Sequence, residues 1–296
     1  MSYWIGVAYA LGAGFSNNFG TVLMKKVVNE IPPEEQEERF IRTLAKKPVW
    51  VIGLLFQYVL GAALILLAQI FLGPALVPGL MSSGLIVLSI GSIKIVGESL
   101  RKKEVMGIIL LMIGTILFSM SELEISIPAY NFLDSGYLMR LFVFTGLLLL
   151  IVLVLNVVRR TLPQYHSTSR ALVSGIFLAT SGFWISPMLA TIVNVFSGTF
   201  VILELGLFAT ACVVLILTNI FAVWSIQDAF KTGQASLLIP IQQLPYLVIP
   251  GIVYLGVFLL VPPEVFSLAW FSGAVLLTII SSFLLGKRQV MLEEID

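Results

Sequence analysis

An all-α bundle of membrane-crossing helices is the fold class predicted by three features of this chain: its composition, the lengths of its apolar runs and the placement of its basic residues. The 296 residues are 58% hydrophobic and 11% charged, with a mean hydropathy of +1.03, whereas soluble domains carry about 25% charged residues. At about 20 apolar residues per crossing, nine spans are predicted, over 4–24, 49–72, 75–96, 105–121, 139–158, 171–194, 200–226, 235–260 and 265–286. All 17 Lys and Arg residues except Arg140 lie in or beside one set of alternate loops. Such an excess marks the cytosolic side. The expected topology therefore puts the N-terminus outside and the C-terminus inside, in a plasma or cytoplasmic membrane.

The first run lacks a basic stretch before it and is too long for a signal-peptide core, so it is read as a retained span. Gly6, Ala10 and Gly14 recur along it every four residues, a spacing that lets helices approach closely; a homodimer is left open. The following connector reads PPEEQEERFIRTLAKKP. Prolines and acids at its start and bases at its end suit a short helix, with Phe40, Ile41 and Leu44 resting on the membrane surface or the segment simply solvated. The third span has Pro74, Pro78, Gly79, Ser82, Ser83 and Gly84 near its outer end. The connection at 121–138, with Glu122, Glu124, Pro128, Asn131, Asp134 and Gly136, is the natural divide. The chain is accordingly organised as a first repeat at 1–121 with a cytosolic loop at 25–48, a connector with the fifth span at 122–170, and a second repeat at 171–296.

The eighth span, ASLLIPIQQLPYLVIPGIVYLGVFLL, is punctured by Pro240, Pro245 and Pro250. Each proline removes a backbone donor and frees a carbonyl that lipid cannot solvate, so a break covered by protein or by a wet cavity is expected. LIPIQQLP in this span compares with LVPGLMSS in the third. One enters from the cytosol and the other from outside, the pattern of an inverted repeat whose interrupted spans point to a transporter's substrate site.

At 1.5 Å of rise per residue, Asn17, Asn18, Gln57, Thr180, Ser181, Asn219, Gln242 and Gln243 fall at a similar depth, roughly 11 Å below the cytosolic boundary. With Ser82 and Ser83 of the third span they are the candidate substrate-binding residues. The alternative is interhelical glue worth under about 1–2 kcal/mol each. Pro78, Pro240, Pro245 and Pro250 are the candidate hinges. No Asp, Glu, Lys or Arg stands near the centre of any span, so the carboxylate usual in proton-driven pumps is not seen. Glu204, near an outer end, and Asp228, near a cytosolic end, are the remaining candidates for coupling or cation capture. Lys94 and Glu98 sit at a cytosolic end, where snorkelling is expected.

His166 is the single histidine and Cys212 the single cysteine, with no carboxylate pair beside either in sequence. Nucleophilic, acid–base and zinc constellations are therefore missing, as is a glycine-rich phosphate loop. An enzyme is not expected, nor any cofactor. No metal ligands are assigned. Without a basic patch interleaved with aromatics, nucleic acid is not an expected partner either.

Several stretches together resemble the drug/metabolite transporter superfamily and, within it, the NIPA-type magnesium transporter family. FGTVLMKKVV in the first span, PALVPGL and VGESL around the third, VMGIILLMIGT in the fourth, and SIQDAFKTGQASLLIPIQQ at the seventh-to-eighth joint carry the likeness. It implies two inverted halves that alternately expose a central cavity, with Glu98 of the GE fixing a cytosolic helix end. Magnesium prefers carboxylates and waters, yet Gln57 and Gly61 stand in the second span where that family is expected to place an acid. The expected function is thus transport of a small polar solute or ion across the bilayer. A divalent cation, magnesium first, is one rival cargo, and a non-transporting membrane scaffold or receptor is the other reading.

Overall fold

The computed structural model describes residues 2–32, 40–72, 77–123 and 130–293. Pro74, Glu124, Pro128 and most of the charged stretch of the first connector, including Arg39, lie outside the described residues. The helices are α1 (Ser2–Asn29), α2 (Phe40–Ala45), α3 (Pro48–Leu72), α4 (Val77–Val96), α5 (Lys102–Met120), α6 (Ser135–Thr161), α7 (His166–Ser197), α8 (Ile202–Ala229), α9 (Ala235–Gly256) and α10 (Ser267–Glu293). No strand occurs among the described residues. Eight of them, α3 to α10, are long and apolar enough to cross a membrane, and they match eight of the nine expected spans. This is an all-α integral membrane protein. The ninth expected span is α1, which has the length at 28 residues but carries Ser16, Asn17 and Asn18 in mid-helix and is not among the eight.

Helix α1 packs on α3 and α4, and α7 packs on α8 and α9; α5 pairs with α10, and α6 leans on α7. Close approach depends on glycine at a few points. A side chain at Gly14 would strike the Met81 carbonyl, one at Gly84 the Gly14 carbonyl, and one at Gly175 the Gln242 carbonyl and the Pro245 ring. Small residues at such crossings let backbones come together where no water drives association.

Two corrections to the sequence reading emerge. Ala235–Gly256 is one continuous helix with all three prolines inside it. It is the most buried of the eight long helices, so neighbouring backbone and side chains, not a break, cover the fault that proline leaves. It ends at Gly256, four residues early. The third span, by contrast, is interrupted as expected: Val77–Met81 gives way at Ser82 and Ser83 to Gly84–Gly91, then to a π-turn at Ser92–Val96. Finally, α2 does not rest on a membrane surface, because Phe40 and Leu44 are buried against the protein core.

That core is shared unequally. One cluster, around Val22, Trp50, Leu88, Leu111, Phe230 and Leu238, draws on both halves of the chain, and it lies at the end bearing most of the basic residues. Beyond it the halves keep separate clusters: Ala10, Ala68 and Val77 in the first, and Tyr137, Trp184, Leu207 and Val253 in the second. Overpacking at a tight crossing costs about 1–3 kcal/mol. Gly175→Ala is expected to lower the thermal midpoint of the purified protein, whereas Gly206→Ala, which meets nothing within 4 Å, leaves it unchanged or slightly raised.

Candidate functional site

The amides and hydroxyls expected at one depth separate into two groups, each held inside its own half. Around α1, Asn18 is buried and donates to the Gly14 carbonyl at 2.9 Å, and Ser16 donates to the Phe56 carbonyl at 2.7 Å. Asn17, half-buried, lies opposite Gly61. Ser82 and Ser83 return their hydroxyls to the Gly79 and Leu80 carbonyls at 2.6 and 2.7 Å, closing the turn that interrupts α4. Pro78 stands in the short helix before it.

Around α7, Gln242 donates to the Ser174 hydroxyl at 2.7 Å, and Ser174 donates to the Ala222 carbonyl at 2.7 Å. This buried relay ties α9, α7 and α8. Asn219 donates to Ser181 at 2.7 Å and to the Leu215 carbonyl at 2.8 Å. Thr180 bonds back to the Ile176 carbonyl at 2.8 Å. Gln243 is half-buried and takes no hydrogen-bond partner among the described residues. No hydrogen bond among the described residues joins the two groups. Each side chain finds its nearest acceptor on its own or an adjacent helix, because an unpaired polar group costs more here than in water.

Gln57 differs from the rest. It lies in a π-turn of α3, Leu55–Leu60, and its Oε1 is buried with no hydrogen-bond partner. Single π-turns inside α-helices recur at functional sites.

Polar bonds between the halves gather at the basic end. After the second π-turn, Gly97 adopts φ 83°, a left-handed conformation open to glycine at no steric cost. Glu98 then turns into the bundle, 8% exposed. Its oxygens accept from the Ala235 and Ser236 N–H groups at 2.6 and 3.0 Å and from the Ser236 hydroxyl at 2.5 Å. A carboxylate here satisfies orphan donors and faces the positive end of the α9 dipole. Lys25, buried on α1, donates to the Phe230 carbonyl. Trp50 donates to Gln227 at 3.1 Å, and Arg288 pairs with Glu104 at 3.3 Å. A hollow of about 300 Å³ opens between Lys25, Glu98, Lys231 and Gln234.

Neither acid considered for coupling faces that hollow. Glu204 accepts from the Val201 N–H at 3.0 Å and from Asn194 at 2.8 Å, fastening the start of α8 to the end of α7. Asp228 meets Arg170 at 2.6 Å, Lys231 at 3.0 Å, His166 at 3.7 Å and Arg159 at 3.8 Å. Lys25, Ser174, Trp50 and Gln227 were not legible as site residues, since a lone polar residue near a helix end looks the same whether it faces solvent or protein. Among the described residues no group of three or more His, Cys, Asp or Glu is placed to hold a metal ion.

No family model matches the chain, and no solved structure matches it. It is 32% identical over 114 residues to a protein of Arabidopsis thaliana described as probable magnesium transporter NIPA9. The match covers 38% of this chain and 33% of that protein, so the chain spans about a third of the length of the curated relative it matches.

Removing the acceptor of a buried hydrogen bond costs about 1–3 kcal/mol. Glu98→Ala should therefore speed amide hydrogen exchange at Ala235 and Ser236 by roughly 5- to 150-fold, read by mass spectrometry in detergent. Glu98→Gln, which keeps one acceptor oxygen, should fall between the variant and the parent.

Proposed function

We propose that this protein is a membrane transporter that moves a small polar solute or ion by alternating access, with a divalent cation, magnesium first, as its cargo. The observation that carries the reading is the division of the bundle. Polar groups at mid-helix pair within each half, while polar bonds between halves collect at one end. Beyond that end the halves meet along one seam, the α5–α10 pair, which packs from Gly107 against Leu285 to Phe118 against Phe271, and two bodies sharing one end and one seam can rock about those contacts. The matching of α1 with α7, of the interrupted α4 with the proline-rich α9, and of α5 with α10 supports two inverted repeats around α6 as a spacer. The basic end is the cytosolic one in this reading, by the bias of Lys and Arg.

Magnesium as cargo draws on the partial likeness to a probable magnesium transporter. A hydrated ion keeps several waters and needs acceptors for their protons. Gln57 Oε1, buried and unpaired, is the acceptor offered, with Asn17 of α1 opposite Gly61, one turn further along α3. A neutral polar solute is the second reading, favoured by the lack of a carboxylate cluster among the described residues. The glutamine acceptor serves either cargo by hydrogen bonding.

Purified protein in liposomes loaded with a magnesium-sensitive dye should admit magnesium faster than protein-free vesicles, and faster than it admits calcium or manganese. Gln57→Leu should slow that flux on the order of tenfold, as expected for one lost hydrogen bond at a buried site, with the melting temperature little changed. Asn18→Leu combined with Gln243→Leu should slow it as well. Unaltered flux in both variants would remove these amides from the account. Flux of neutral solutes without magnesium would favour the second reading, and no flux of any solute would leave a scaffold.

A further inference from the structure

Apart from the contacts between halves, a cleft of about 330 Å³ runs along α7, between α6 and α8, which both pack on that helix. Its walls extend from Thr145 to Asn156 on α6 and from Val214 to Ser225 on α8. At 1.5 Å per residue each wall is roughly 16 Å long, close to half of the ~30 Å hydrocarbon core of a bilayer. The cleft is therefore one leaflet deep.

Its chemistry is apolar along most of that length. Thr145, Thr180 and Thr218 line it, but each returns its hydroxyl hydrogen to a carbonyl of its own helix at 2.7–2.8 Å, and Asn156 so returns one of its two amide hydrogens at 2.9 Å; Ser225 Oγ, also in the lining, is buried without a partner. The donor capacity that remains, on Asn156 and Ser225, lies at the wall ends nearest Arg159 and Asp228, not along the apolar length. Leu149, Leu217 and Phe221 are 48%, 47% and 41% exposed, and at this depth an exposed side chain faces hydrocarbon.

One end of the cleft is cationic. Arg170 closes it, buried, with its guanidinium 4.4 Å from the ring centre of Trp224; Trp224 is itself 41% exposed, as tryptophan is at the level of lipid headgroups. Asp228 is the acid at this point, facing Arg170, Arg159, Lys231 and His166. Arg159 Nε is buried without a hydrogen-bond partner, and Arg160 beside it is exposed. A further described carboxylate on this side, Glu293, is turned to the Ser167 N–H and to Gln289. Among the described residues, positive charge thus exceeds negative where the apolar groove meets the membrane surface.

We propose that this cleft is a binding site for an anionic phospholipid, with an acyl chain laid along α7 and the phosphate held by Arg159, Arg160 and Arg170. Basic pockets between transmembrane helices hold anionic headgroups by the same means. The apolar length supplies affinity through buried methylenes, and the arginines select the headgroup.

The full chain, stripped of lipid in a neutral detergent, is titrated with phosphatidylglycerol and with phosphatidylcholine of the same acyl chains, and retained lipid is counted by native mass spectrometry. One phosphatidylglycerol per chain should be kept in preference to phosphatidylcholine. Arg159→Gln with Arg160→Gln should reduce that preference by roughly fivefold per arginine. Leu149→Trp, which fills the groove from an exposed wall, should weaken retention of both lipids, and inorganic phosphate should not compete. Equal retention of the two lipids by the parent protein, or unchanged retention in both variants, would overturn the assignment. So would a Leu149→Trp protein that loses solute flux while holding lipid as before. The comparison of lipids on the parent protein decides the matter even if the arginine variant fails to fold.

Discussion

The first amide hydrogens of α9 have to be satisfied inside protein, and the way they are satisfied organises one end of the molecule. No water can serve them at a buried helix start, and an unmade bond there is costly. The acceptor comes from the other half of the chain: Glu98, delivered by a π-turn and a left-handed glycine. At the far end of the same helix Arg140 of α6 donates to the Val257 carbonyl at 2.8 Å. A negative group thus stands at the positive end of α9 and a positive group at its negative end. The helix with the most prolines is held at both ends by residues distant in the chain.

That arrangement explains why three prolines do not break α9. Proline kinks a helix when the freed carbonyl and the ring find no accommodation. Here Gly175 makes room for the Pro245 ring and the Gln242 carbonyl, and Gln242 itself bonds to Ser174. Of the two interruptions expected, in this helix and in α4, only that in α4 appears, where two adjacent serines cap their own turn. Proline content alone does not locate a break; the packing opposite it does.

Much of the fold was legible because it follows from hydropathy. Eight of nine predicted spans are long apolar helices, and their bounds follow the apolar runs within a few residues, apart from the basic caps and the early end of α9. The polar residues were legible as candidates but not as partners. Depth along a helix can be counted from sequence, whereas the direction a side chain faces depends on rotation about the helix axis, which two π-turns alter in the first half. Asn219 and Ser181, 38 residues apart, meet; Asn18 and Gln242, counted at the same level, do not bond. Asp228 looked like a coupling acid until Arg170 was seen against it, an ion pair that no spacing rule relates to residues 58 positions away.

The π-turn at Leu55–Leu60 has a geometric corollary. Its backbone is wound one residue wider than the turns on either side. Rewinding it to ordinary pitch would swing one end of the helix by about 100° about its axis relative to the other. Such a change would sweep the Gln57 carboxamide to a different azimuth while leaving the helix intact, so that a ratchet of one residue, with no hinge and no unfolding, suffices to present or withdraw that acceptor.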